Sequence, residues 1–247
     1  MQKVRVCYYG NVFDASGYGS AARAYIHAMN AAGIDLFVVN LSHAAPQVRD
    51  ELVESLITRR FQPDFHLFHG IPHVWAHLAF RVPNAIAMIV WETDTMPSQW
   101  RNTLNHALEV WLPCDFNLTV FRSHVRKPLA KIPHPVPVRD GVSSLPDVSD
   151  FLHVFPDDFV VYSIFEWQDR KSPKEQLKCY LNAFRDINGT VLILKLNPGA
   201  AAEAERVLEE TRRELNSAAR VDLRCEARIS ALHGRGDCYL SLHTLNN

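Results

Sequence analysis

A chain of 247 residues with 47% hydrophobic side chains can bury a proper core, which excludes a disordered chain and allows one large domain or two of roughly 100 to 150 residues. Its 26 Lys and Arg against 27 Asp and Glu leave a formal charge of -1, so the electrostatic footprint of a nucleic-acid binder is missing and nucleic acid is not the expected partner. Five cysteines (Cys7, Cys114, Cys179, Cys225, Cys238) are scattered and without CxxC spacing, which argues against a disulfide framework or a zinc knuckle and for a reducing compartment.

The opening MQKVRVCYYG carries too short an apolar run for a signal peptide or a spanning helix, and no later stretch reaches ~18 apolar residues, so a cytoplasmic location is expected. Val4 to Tyr9 reads as a strand, Ser20 to Ala32 as a helix ended by Gly33, and Leu36 to Val39 as a buried strand, together a β-α-β unit. Helical patterns follow at Val48 to Ile57, Ser98 to Leu108 and Leu118 to Val125. Strand patterns interleave with them at Phe65 to Phe68, Ala85 to Trp91, Val110 to Leu112 and Ala130 to Ile132. This alternation predicts an α/β fold with a largely parallel sheet covered on both faces.

Prolines, glycine and serines accumulate between about His134 and Pro156 and mark a domain crossing. The expected boundaries are residues 1–135, a linker over 136–156, and a second α/β series over 157–247. In that series Phe159 to Phe165 is a strand, Pro173 to Phe184 a helix opened by proline, and Val191 to Leu196 a strand. Ala200 to Ala218 is an amphipathic helix, Val221 to Leu223 a strand, Ile229 to Leu232 a short helix and Cys238 to Leu242 a last strand.

An open α/β sheet binds its ligand outside the carboxyl ends of its strands, so the loops after Tyr9, Phe68, Trp91 and Phe165 hold the candidates. After the first strand, Gly17-Tyr18-Gly19 precedes a helix, where absent Cβ atoms let backbone amides approach a phosphate; the plain alternative is a flexible loop. A dinucleotide fingerprint fits poorly, because Gly10 to Ser16 is too long for that tight turn and the second strand ends in Val39-Asn40 without a ribose-binding acid. His66, His69, His73 and His77 invite a metal. Gly70 and Pro72 inside the His69–His73 spacing spoil a zinc-protease helix, and its glutamate is missing. His69, just past a strand end, remains as a ligand-facing polar group. Glu92 and Asp94 end another strand and read either as hydroxyl-binding carboxylates or, for Asp94 and Ser98, as helix caps. Arg170 and Lys171 lie at a helix start, where cations oppose the helix dipole unless an anion joins them; a solvated basic loop is the alternative. Arg122, His124, Arg126, Lys127 and Lys131 form a basic face, a solvated surface or a site of peripheral contact with anionic lipids.

In their order and spacing, FDASGYGSAARAY, DFHLFH, the block from VWETDTMPSQW to KIPHPV, FVVYSIFEWQDRKSPKEQL, VLILKLNP and GDCYLSLH resemble retaining glycosyltransferases of family 4. The resemblance implies a GT-B-like fold of two Rossmann-like domains and a nucleotide-sugar donor held between them, with an unknown acceptor and neither metal nor further cofactor. It assigns the donor phosphates to Gly17, Gly19, Arg170 and Lys171, places His69 beside the transferred sugar as the catalytic candidate, and gives Glu92 and Asp94 to the acceptor or sugar. Many members carry a Gly-Arg pair before the lysine where this chain has Phe165-Glu166. Asp237 to His243 resembles the strand just upstream of the family's glutamate-pair signature, after which TLNN follows. The expectation is therefore a second domain left incomplete by truncation, impaired in transfer unless another chain completes it. A catalytically silent nucleotide- or sugar-binding module and a nicotinamide oxidoreductase are the competing functions.

Overall fold

The computed structural model describes residues 3–136, 154–225 and 229–242. The chain divides into two compact units, Met1–Val138 and Arg139–Asn247. Most of the expected linker, and the chain from His243 onward, lie outside the described residues.

The first unit is a six-stranded sheet of β1 (Arg5–Gly10), β2 (Asp35–Asn40), β3 (Phe65–His69), β4 (Ala85–Met88), β5 (Glu109–Leu112) and β6 (Leu129–Lys131). Their order is β2-β1-β3-β4-β5-β6, and every neighbouring pair is parallel. Each crossover therefore has to pass over a face of the sheet, and both faces are apolar in consequence. On one, Tyr8, Leu36, Val38, Leu67 and Ile86 pack under α1 (Gly17–Ala31) and α2 (Glu51–Ile57) through Tyr25, Ile26, Val53 and Leu56. On the other, Phe68, Ala87, Val110 and Leu112 meet α3 (Pro72–Ala79), α4 (Trp100–His106) and α5 (Asp115–Arg122) through Trp75, Leu104 and Phe121.

Helix α3 departs from the sequence expectation. Pro72 does not prevent a helix; it occupies the first turn, where a missing N–H costs nothing and a fixed φ favours helix. The segment falls between two strands as the alternation requires. At the foot of the sheet Asp64 accepts from the Arg5 amide and guanidinium, 2.9 Å each, and the guanidinium holds its carboxyl below the usual range.

The second unit orders its strands β10-β7-β8-β9, again all parallel: β7 (Phe159–Ile164), β8 (Thr190–Lys195), β9 (Arg220–Arg224) and β10 (Cys238–Tyr239). Helices α6 (Pro173–Ala183) and α7 (Ala201–Leu215) cover one face through Leu177, Leu181, Ala204 and Leu208. The other face, with Val160, Tyr162, Val191 and Ile193, is met by Leu232 of the short α8 (Ile229–Arg235). Among the described residues β10, where a longer strand was expected, forms one edge of this sheet.

One buried carboxylate ties the segment before β7 to β9. Asp158 accepts two hydrogen bonds from Arg220, at 2.8 and 2.9 Å, and one from the Phe155 amide at 2.8 Å. Asp158→Ala strands that amide and the guanidinium, so we expect a loss of about 1–3 kcal/mol, seen as a lower urea midpoint; an unchanged midpoint would remove Asp158 from this role.

Candidate functional site

In the first unit β1 is flanked by β2 on one side and β3 on the other, so the connections leaving β1 and β3 part in opposite directions and open a crevice at the strands' carboxyl ends. A cavity of about 110 Å³ occupies this position, lined by Asn11, Tyr18, Leu41, His69, Gly70, Ile71 and Val74. Asn11 follows β1, Leu41 follows β2, and His69 ends β3 with Gly70 after it. The cavity is small beside the ~300–1,000 Å³ of drug-sized pockets.

The glycine loop reaches this crevice as a fixed structure. The Arg23 guanidinium donates to the Val12 and Asp14 carbonyls, 2.9 Å each, and the Ala15 amide donates to Gln47 Oε1. Ser16 caps α1 by accepting from the Gly19 amide at 3.2 Å. Both glycines lie inside the first helical turn and not ahead of it. Gly19 is required by the protein itself, since a Cβ there would stand 2.2 Å from the Asp14 carbonyl oxygen. At Gly17 a Cβ would meet nothing within 4 Å. With the Gly19 amide engaged by Ser16, the Gly17 and Tyr18 amides are the donors that a helix start leaves open to an anion.

His69 is buried among aromatic rings. Tyr8 Oη lies 2.5 Å from its Nδ1, and the rings of Tyr8, Tyr18 and Tyr25 stand 6.0, 5.8 and 5.6 Å from the imidazole. Burial, with a smaller push from His134, drives its pKa down to about 4, so the ring is neutral at pH 7. Burial raises the Tyr8 hydroxyl well above its ordinary value and pushes Tyr18 and Tyr25 up to about 12. Tyr18 donates to the Val90 carbonyl at 3.1 Å and Tyr25 to that of Ile132 at 2.9 Å, which ties α1 to the segments after β4 and β6.

The other histidines disperse. His66 faces away from His69 and meets the Tyr9 hydroxyl at 3.1 Å, while His73 and His77 are exposed on α3. Among the described residues no group of three or more His, Cys, Asp or Glu side chains has the arrangement of a metal site.

The loop after β4 is pinned by Asn117, which donates to the Trp91 carbonyl at 2.6 Å, and by Trp91 Nε1 donating to the Thr95 carbonyl at 2.8 Å. Glu92 is exposed and close enough to Tyr18 for its charge to raise that hydroxyl's pKa further. Asp94 accepts from the Thr95 hydroxyl at 3.1 Å. Neither Asp94 nor Ser98 caps α4, whose first turn follows Gln99 without a side-chain cap. The basic face after α5 is partly neutralised, because Lys131 pairs with Asp115 at 2.9 Å.

In the second unit the corner after β7 stands at the corresponding place, since β7 lies between β8 and β10. Asp169–Lys171 forms one 3₁₀ turn, Ser172 takes φ 49°, and Pro173 opens α6. Buried Gln176 donates to the Lys171 carbonyl at 2.6 Å and fixes that turn. Arg170 is exposed, and its Nε donates to Gln168 Oε1 at 3.2 Å. Sequence reading missed Tyr8, Tyr25, His134 and Asn117. Two adjacent tyrosines in β1 were the available signal, but their partners are set by strand pairing.

No protein-family model and no curated protein matches the chain. Solved structures do. A glycosyltransferase from Rickettsia africae aligns at TM-score 0.69 and 10% identity, covering 98% of this chain and 74% of its own. Anabaena HepE in complex with UDP and glucose aligns at 0.61 and 14%, covering 97% and 74%. Sucrose-phosphate synthase from Thermosynechococcus elongatus aligns at 0.60 and 15%, covering 94% and 73%. At such identities the likeness establishes the fold: the chain has the α/β architecture of GT-B glycosyltransferases and spans about three quarters of their length.

Proposed function

We propose that this chain binds a UDP-sugar and serves in transfer of the sugar to an acceptor hydroxyl with retention, as in family 4. The observation that carries the reading is the meeting, at one switch-point crevice, of Tyr18, in the first turn of α1 beside Gly17, with a buried, neutral His69. UDP and glucose in the HepE complex support the choice of donor. Arg170 and Lys171 contribute charge to the diphosphate, His69 donates to an oxygen of the transferred sugar, and Glu92 accepts from the acceptor. In the transfer, the bond from the anomeric carbon to the phosphate oxygen breaks with its electron pair remaining on UDP. The acceptor oxygen bonds to that carbon on the same face, and its proton passes to the departing phosphate. The protein's part is to stabilise the charge that develops on the diphosphate and on the sugar ring.

Thermal unfolding with ligand tests the binding. UDP at about 100 times its Kd adds ~2.7 kcal/mol and should raise Tm by several degrees, while NAD should not. Lys171→Ala should weaken UDP by roughly 10- to 100-fold, the worth of one charge-assisted hydrogen bond. A shift with NAD alone would overturn the reading, and UDP binding without sugar transfer to any acceptor would leave a silent binding module.

The His69 role carries its own pH dependence. Its folded-state pKa of about 4 lies below the ordinary 6.5, so between those values the unfolded chain holds a proton that the folded chain does not. Stability is therefore full above about pH 6.5 and is lost as pH falls toward 4, by on the order of 3 kcal/mol. His69→Gln should flatten that limb in urea unfolding between pH 4 and 7; an unaltered slope would show that His69 is not held neutral.

A further inference from the structure

We infer that Tyr8 is a positioning residue: its hydroxyl donates to His69 Nδ1, fixes the imidazole as the Nε2–H tautomer, and so turns the ring into a hydrogen-bond donor toward the switch-point cavity. The geometry leaves one consistent arrangement. Tyr8 is fully buried, and its hydroxyl has a single partner among the described residues, His69 Nδ1 at 2.5 Å. With the opposite tautomer, Nδ1–H would donate to the tyrosine oxygen, and the buried O–H would then face no acceptor. With Tyr8 as donor, both groups are satisfied and the imidazole proton must sit on Nε2. Nε2 makes no hydrogen bond to the protein among the described residues, and the ring lines the cavity.

The surroundings keep the ring neutral, so that a donor is what the site presents. Among the described residues, the polar and titratable groups around the imidazole and its cavity are Tyr8 from β1, Asn11 after β1, Tyr18 and Tyr25 from α1, and His134 beyond β6. None is a carboxylate that would hold an imidazolium. Tyr18 and Tyr25 direct their hydroxyls at backbone carbonyls, and among the described residues Tyr8 is the one side chain hydrogen-bonded to the ring, so Tyr8 sets the tautomer.

The ligand chemistry follows. The atom meeting His69 must be a hydrogen-bond acceptor, such as a hydroxyl, ether or phosphoryl oxygen, and an ammonium is excluded. Calling that atom a sugar oxygen rests on the transferase reading; the tautomer does not.

Nitrogen-15 histidine NMR on the ligand-free protein tests this, with the His69 signals identified by their loss in His69→Gln. The wild-type chain should show His69 as the Nε2–H form alone. Tyr8→Phe should give a mixture of tautomers and raise the His69 midpoint by roughly half a unit to one unit, because the lost hydrogen bond had favoured the neutral ring. A wild-type Nδ1–H form, or a Tyr8→Phe spectrum with unchanged tautomer and midpoint, would overturn the proposal. Should Tyr8→Phe fail to fold, the wild-type tautomer still decides. A correct tautomer with no UDP binding would remove the transferase reading and leave the positioning role standing.

Discussion

Parallel pairing is the constraint on which the rest depends. Every described strand runs parallel to its neighbours, so within each unit all carboxyl ends lie on one side and all connecting helices begin there. Helix starts carry unsatisfied amides and partial positive charge, so that side is made for anions. Strand order then selects the place. A strand whose neighbours follow it on opposite sides leaves its own exit loop uncovered, and β1 and β7 are those strands.

What is built at the β1 exit differs from a simple phosphate loop. The glycines divide their work: Gly19 lets α1 begin hard against the Asp14 carbonyl, with its amide used by the Ser16 cap, whereas Gly17 keeps open space above the first turn. Tyr18 between them spans to the Val90 carbonyl and narrows the cavity. His69 completes the wall from β3. Its burial among three tyrosines costs the charged form far more than the neutral one, so the same packing that encloses the cavity also decides the ring's protonation. The chemistry of the group cannot be separated from the core that holds it.

The turn at Asp169–Lys171 is set by different means. Its cations stand where the helix dipole opposes them, and a left-handed Ser172, a proline and a buried glutamine maintain the turn. Backbone geometry of that kind costs free energy and persists because the surrounding structure over-determines it.

The alternation of strand and helix, the parallel class, and the strand-to-helix corners where Gly17, His69, Glu92 and Lys171 stand were legible in the sequence, because hydrophobic period and Gly/Pro punctuation are local properties of the chain. It misjudged the Pro72 segment and left the Asp94 loop open between helix caps and hydroxyl-binding carboxylates, because one residue type serves two local roles and only the packed chain removes the caps. Tertiary structure alone decided that Tyr8 meets His69 across 61 positions of sequence, that His66 does not join it, and that Gly19 serves the helix start. The reason is register. A parallel ladder sets which residue of β1 lies beside which residue of β3, and a shift of one position would turn His69 to the opposite face.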